Sequence, residues 1–155
     1  MNYKKLIASI LICQAAGIIG SFFTISSIDS WYATLNKPSF NPPSWLFGPA
    51  WITLYFLMGI ALYLVWNMER RDKIWKNAIA IFSVQLILNV AWSIIFFGME
   101  QPLLAGFEII ILWVFILLTI IYFGKLNKTA AYLLVPYICW VTFASVLNWA
   151  IVTLN

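Results

Sequence analysis

Histidine is missing from the chain altogether. Its absence removes the commonest metal and haem ligand and the usual general base near neutral pH. Charge is nearly as scarce: 9% of the 155 residues are charged, where a soluble domain carries about a quarter. So few charges cannot cover the surface of a water-soluble fold. Only two cysteines are present, Cys13 and Cys139. They show no CxxC spacing, lie inside apolar runs, and are expected as small buried hydrophobes. No repeat and no low-complexity tract is visible.

What fills the chain is apolar. Hydrophobic residues make up 64% of it, and mean hydropathy is +0.94. A bilayer core of about 30 Å takes roughly 20 residues at 1.5 Å each. Five such runs fit, at about 6–28, 45–67, 74–99, 103–123 and 130–154, and leave 29–44 as the one long connection. The fold class is therefore all-α, a single domain forming an integral membrane bundle of five transmembrane helices. Lys4 and Lys5 before the first run give it the look of a signal peptide. It is too long for one, is interrupted by Gln14, Gly17 and Gly20, and has no small-residue cleavage site. A retained helix is expected.

The formal net charge of +4 would suggest nucleic acid in a soluble protein. Here the cations follow topology, and no nucleic-acid partner is expected. Lys4, Lys5, Arg70, Arg71, Lys73, Lys76, Lys125 and Lys128 fall on one face of a five-span bundle, and only Lys37 on the other. The positive-inside rule then places the N-terminus in the cytoplasm, with the C-terminus and the 29–44 loop outside.

The outward loop carries Pro38, Pro42 and Pro43, which fix φ and restrict the residues before them. It is expected as an ordered, aromatic-bearing lid. Ser44 is a candidate N-cap for the second helix, and Gly48-Pro49 permits a distortion in its first turns. Trp31 and Trp45 suit either the lid or the headgroup level, whereas Trp66 and Trp75 suit the interface.

Polar residues inside the spans are costly in lipid and should face the bundle interior. Helix two carries Trp51 and Tyr55 one turn apart. Helix three carries Gln85, Asn89 and Ser93 at intervals of four, beside Trp92, and helix five carries Trp140, Ala144 and Asn148, beside Leu147. Two readings are open: hydrogen bonds that glue the bundle, or the wall of an apolar ligand pocket with a few orienting amides. Glu108 is the only carboxylate within a span. It is expected to face inward, paired or neutral, with a structural hydrogen bond favoured over a lone proton-relay role. In helix one, Ala16-xxx-Gly20 and Gly17-xxx-Ser21 permit close packing, within the bundle or across a dimer seam. Pro136 is expected to kink helix five just before Trp140.

Three blocks identify a family: WYATLNKPSFNPPSWLFGPAW at 31–51, LNVAWSIIFFG at 88–98 and LLVPYICWVTFASVLN at 133–148. They closely resemble the tryptophan-rich sensory protein and translocator protein family, also called the peripheral benzodiazepine receptor family, over essentially the whole chain. The short length and lack of an organellar presequence look like a bacterial member, in a plasma membrane. The resemblance implies a five-helix bundle, often a homodimer, with a cavity opening toward the first loop. It implies binding of protoporphyrin IX, and of isoquinoline carboxamide and benzodiazepine drugs, with no tightly bound cofactor and no metal. Several bacterial members are reported to degrade protoporphyrin in light. Carried over, the ligand-binding positions are Tyr32, Pro42, Trp51, Tyr55, Asn89, Trp92, Trp140, Ala144 and Leu147, and Trp51 and Trp140 are the candidates for a photo-oxidation role.

The chain departs from the animal members in two places. The tyrosine–arginine pair that ends their fifth helix, the proposed cholesterol motif, is absent from the 148–155 end, which puts sterol recognition by that motif in doubt. A pocket tryptophan at the start of their fourth helix aligns with Leu104. The leading function is a membrane receptor and scavenger for porphyrins. Transport across the membrane is the alternative, less favoured for want of an inverted repeat and a coupling-ion carboxylate cluster.

Overall fold

The computed structural model describes residues 2–155. Among them there is no strand, and five helical spans are long and apolar enough to cross a membrane. Helix α1 covers Tyr3–Ile28, and α2 is a single turn, Trp31–Thr34. Helix α3 runs Ser44–Trp66, and α4 runs Lys73–Ser93 before passing into a π-helical turn, Ile94–Gly98. Helix α5 is Pro102–Leu126, and the fifth span is α6, Lys128–Leu133, followed by α7, Val135–Leu154.

The spans form a closed ring. Helix α1 packs on α3 and α4, α4 on α5, α5 on α6 and α7, and α6 returns to α3. The short polar links set this order by forcing neighbours antiparallel. At the basic end the turns are well capped. Asp72 accepts from Trp75 N (3.0 Å) to start α4, and Asn127 accepts from Ala130 N (3.1 Å) to start α6. The side-chain hydrogen bond from Arg70, then the Trp75 N–H, hold the Asp72 carboxyl below its ordinary range. Trp75 Nε1 donates to Val65 O at 2.9 Å, and the Arg71 guanidinium lies 4.2 Å from the Trp75 ring centroid. These contacts tie the start of α4 to the end of α3.

Two glycines let α1 come close. A Cβ on Gly59 would lie 2.7 Å from Ile10 Cα, and one on Gly17 would lie 2.5 Å from Tyr55 Cε2. The small residues of α1 thus serve packing inside this bundle: Ala16 and Gly20 are buried, and Gly17 and Ser21 are half-buried.

Four expectations change. Ser44 does not cap α3; it is the first helical residue, Pro43 holds the cap position, and no side chain bonds there. With φ fixed by its ring, Pro43 starts the helix from an extended conformation. Pro136 does not kink a continuous helix. The fifth span breaks at Leu134, whose N–H turns back to Ala131 O, and Pro136 sits in the first turn of α7, where a missing N–H costs nothing. Cys13 is buried but Cys139 is exposed on the outer flank of α7. Glu108 faces inward as expected, yet neither carboxylate oxygen has a hydrogen-bond partner.

Candidate functional site

At the loop end the ring widens into a cavity of about 470 Å³. Its wall is built from every span except α5. Helix α3 supplies Phe47, Trp51 and Tyr55, the α4 end supplies Trp92, Ser93, Phe96 and Phe97, and α7 supplies Trp140, Ala144, Leu147 and Asn148. Helix α1 completes the wall with Gly17, Gly20 and a row of isoleucines.

Trp51 and Trp140 meet almost at right angles, with ring centroids 6.4 Å apart and an interplanar angle of 84°. Trp51 also lies 5.6 Å from the Tyr55 ring, and Phe47 meets Trp140 edge-on at 6.1 Å. These side chains bridge α3 and α7 where the two helices separate. On the opposite wall Trp92 stacks on Phe96 at 5.1 Å, and Phe96 and Phe97 are 4.8 Å apart. Both phenylalanines sit in the π-helical turn Ile94–Gly98 and line the cavity.

Beneath the cavity a chain of buried hydrogen bonds joins three helices. The Tyr55 hydroxyl donates to Asn89 Oδ1, Asn89 Nδ2 donates to Tyr137 Oη (2.8 Å), and the Tyr137 hydroxyl donates to Gln85 Oε1 (3.0 Å). The periodicity of Gln85 and Asn89 therefore reports a polar floor, while Ser93, one turn on, reaches the wall. A second bridge stands at the loop end. Asn148 Oδ1 accepts from Trp92 Nε1 (3.2 Å), and its Nδ2 donates to Pro102 O (2.8 Å), joining α4, α7 and α5. The amides thus bond helix to helix, and Ser93 and Asn148 also line the cavity.

The roof is ordered. Tyr32 is buried against Phe96 and Phe97, and its hydroxyl donates to Asn41 Oδ1 at 2.9 Å. Burial pushes its phenol up to about 12. The loop is clasped to the end of α7: Asn36 N donates to Asn155 Oδ1 (2.9 Å), and Asn155 Nδ2 donates to Asn36 O (3.0 Å). Phe40 meets Phe143 at 6.4 Å on the same side.

Of the residues predicted for the site, Tyr32, Trp51, Tyr55, Trp92, Trp140, Ala144 and Leu147 line one cavity. Asn89 stands below it, fixing Tyr55, and Pro42 lies in the loop with its carbonyl accepting from Asn41 Nδ2. Leu104 is exposed on the outside of α5. Trp31 is half-buried against Phe96, while Trp45 is 72% exposed, as an interfacial residue would be. Phe47, Phe96, Phe97, Ile28 and Ile151 are wall residues without a mark in the sequence, because any span is rich in such side chains.

Fold and cavity together define a multi-pass membrane protein built around an aromatic intrabundle pocket. The chain belongs to the TspO/MBR family, which matches it over residues 9–154. It is 50% identical to the tryptophan-rich protein TspO of Archaeoglobus fulgidus, across 100% of this chain and 99% of the relative. It is 35% identical to the tryptophan-rich sensory protein of Cereibacter sphaeroides, across 100% and 94%. With the human translocator protein the identity is 36%, over 86% of this chain and 79% of the relative.

Proposed function

We propose that this protein is a membrane receptor and scavenger for a flat, hydrophobic aromatic ligand, protoporphyrin IX foremost, held in the cavity under the 29–44 loop. The observation that carries the reading is the Trp51–Trp140 corner, two indoles at right angles. One offers a face and the other an edge to a planar ring, the geometries aromatic pairs favour. The volume falls in the range of pockets that take drug-sized molecules. Isoquinoline carboxamides and benzodiazepines carry aromatic rings that would compete for the same corner. The chain has no histidine to ligate iron, which suits a metal-free macrocycle better than haem.

Light-dependent loss of the bound porphyrin belongs to the same proposal. Excited porphyrin sensitises molecular oxygen, which is the oxidant, and Trp51 and Trp140 hold the ring and are the groups nearest to react. The names of the relatives, sensory protein and translocator protein, favour a ligand-responsive membrane protein. Receptor is preferred to transporter because the Tyr55–Asn89–Tyr137–Gln85 network ties α3, α4 and α7 together beneath the cavity, on the side of the basic end. The expected setting is a bacterial plasma membrane, N-terminus in the cytoplasm and loop outside, with the protein a homodimer.

The test is protoporphyrin titration into the protein in lipid nanodiscs, read by tryptophan quenching, then illumination with and without oxygen. Saturable quenching that weakens in Trp51→Phe and Trp140→Phe supports the receptor. Unchanged binding in both variants removes the tryptophan corner from the site. Full light-dependent loss in both variants removes their role in the chemistry.

A further inference from the structure

The wall of the cavity is uneven in one respect. On α4 and α7 every lining residue is buried or half-buried. The exposed ones, Ile18, Ile25, Ser44, Gly48 and Ile52, all lie on α1 and α3. The loop leans the other way, clasped to α7 through Asn36 and Asn155. The cavity is thus open along its side, between α1 and α3.

The opening has a defined lower end. The two helices touch where Gly59 meets Ile10 and where Gly17 meets the Tyr55 ring. Gln14 Nε2 then donates to Ile52 O (3.0 Å), the last side-chain bond between them. Toward the loop from there, the lining residues Ile18 and Ile25 of α1 and Ser44 and Gly48 of α3 are exposed. From Ile18 to Ile25 the slot rises about 10 Å at 1.5 Å per residue, and Gly48 lines it from α3. A Cβ on Gly48 would meet nothing within 4 Å, so this glycine faces open space and is not needed for packing.

Both helices are membrane spans, so the slot faces hydrocarbon. Its rims, Ile18, Ile25 and Ile52, continue the apolar lipid-facing flank. Dry apolar cavities take apolar guests when these can reach them. The molecules in contact with this one are lipid chains. We propose that the slot between α1 and α3 is a lipid-binding site: a phospholipid acyl chain inserts through it from the bilayer and occupies the cavity until another guest displaces it. The headgroup stays at the interface near Ser44. This inference needs only the slot and the cavity, and does not depend on the porphyrin reading.

The test uses the full chain in nanodiscs made with phosphatidylcholine bearing a photoreactive diazirine within one acyl chain. After illumination, adducts are mapped by peptide mass spectrometry. An inserted chain labels Trp51, Tyr55 or Trp140, besides lipid-facing residues such as Phe22 and Phe56. Gly48→Leu fills the slot with a side chain that has room, and should cut the inner adducts at least fivefold while the outer ones persist. Ser21→Leu, on the facing helix, is a second block should the first variant fold poorly. Adducts confined to outer residues in the natural protein would overturn the proposal. So would inner adducts that persist undiminished in folded blocked variants, since the chain would then enter by another route.

Discussion

Gly17 of α1 lies flat against the Tyr55 ring of α3, so close that a Cβ would stand 2.5 Å from Cε2 and 2.6 Å from Cδ2. No rotation of a buried ring bonded to Asn89 relieves that overlap. Gly17→Ala should therefore destabilise the bundle by about 1–3 kcal/mol, the usual cost of overpacking. Gly48→Ala, with open space at its Cβ, should instead gain about 0.5–1 kcal/mol from helix propensity. Thermal midpoints in one detergent compare the two. Equal effects at both positions would contradict the geometry.

Asn89 accepts from the Tyr55 hydroxyl and donates to Tyr137 Oη, whose own hydroxyl goes on to Gln85. Removing it leaves the Tyr55 hydroxyl without a partner in a buried site, at about 1–3 kcal/mol for an unsatisfied group, and takes one of the two bonds of the Tyr137 phenol. Asn89→Ala should thus cost more than Tyr55→Phe, which removes one donor and leaves Asn89 bonded to Tyr137. A double-mutant cycle between Tyr55→Phe and Asn89→Ala measures their coupling. Additive losses would mean that the two side chains do not interact.

The difference between these residues also marks what could be read from the chain. Five spans follow from hydropathy alone, since lipid demands long apolar runs. The inward placement of Gln85, Asn89 and Asn148 follows from the cost of polar groups in hydrocarbon. Which amide forms the floor and which reaches the wall depends on helix register, and a spacing of four does not encode that. Phe96 and Phe97 escape notice because a phenylalanine inside a span carries no sign of which way it faces, and the π-helical turn they occupy is not written in the hydropathy. Trp51 and Trp140 were found through the family blocks and one helical turn of spacing. Their right-angled meeting needs the separation of α3 and α7, a tertiary property.

The clasp between Asn36 and Asn155 predicts a local effect with little global cost. Three hydrogen bonds join Asn36 to Leu154 at the end of α7 and to Asn155 beyond it, counting Asn36 Nδ2 to Leu154 O at 3.2 Å. All are exposed, where a hydrogen bond adds about 0.5–1.5 kcal/mol at most. Asn155→Ala should leave the thermal midpoint almost unchanged yet speed amide exchange across residues 35–43. Hydrogen–deuterium exchange by mass spectrometry checks this. Unaltered exchange in the loop would show that Phe40, packed on Phe143, and the prolines hold it without the clasp.

Glu108 gives the clearest expectation because it lacks what a buried carboxyl normally has. It is 9% exposed, sits among Ala105, Gly106, Ile109 and Leu112 on the inner side of α5, and its oxygens bond to nothing. Burying an unpaired polar group costs about 1–3 kcal/mol in mutational data. Substituting a side chain of similar reach and no polar atoms breaks no bond and removes that cost. Glu108→Met should accordingly raise stability by about 1–3 kcal/mol, and Glu108→Gln, which keeps a polar head in the same place, should not. Both are read from thermal midpoints in nanodiscs. If the methionine variant is less stable than the natural protein, Glu108 has a partner, such as an internal water, whose bonds outweigh the burial.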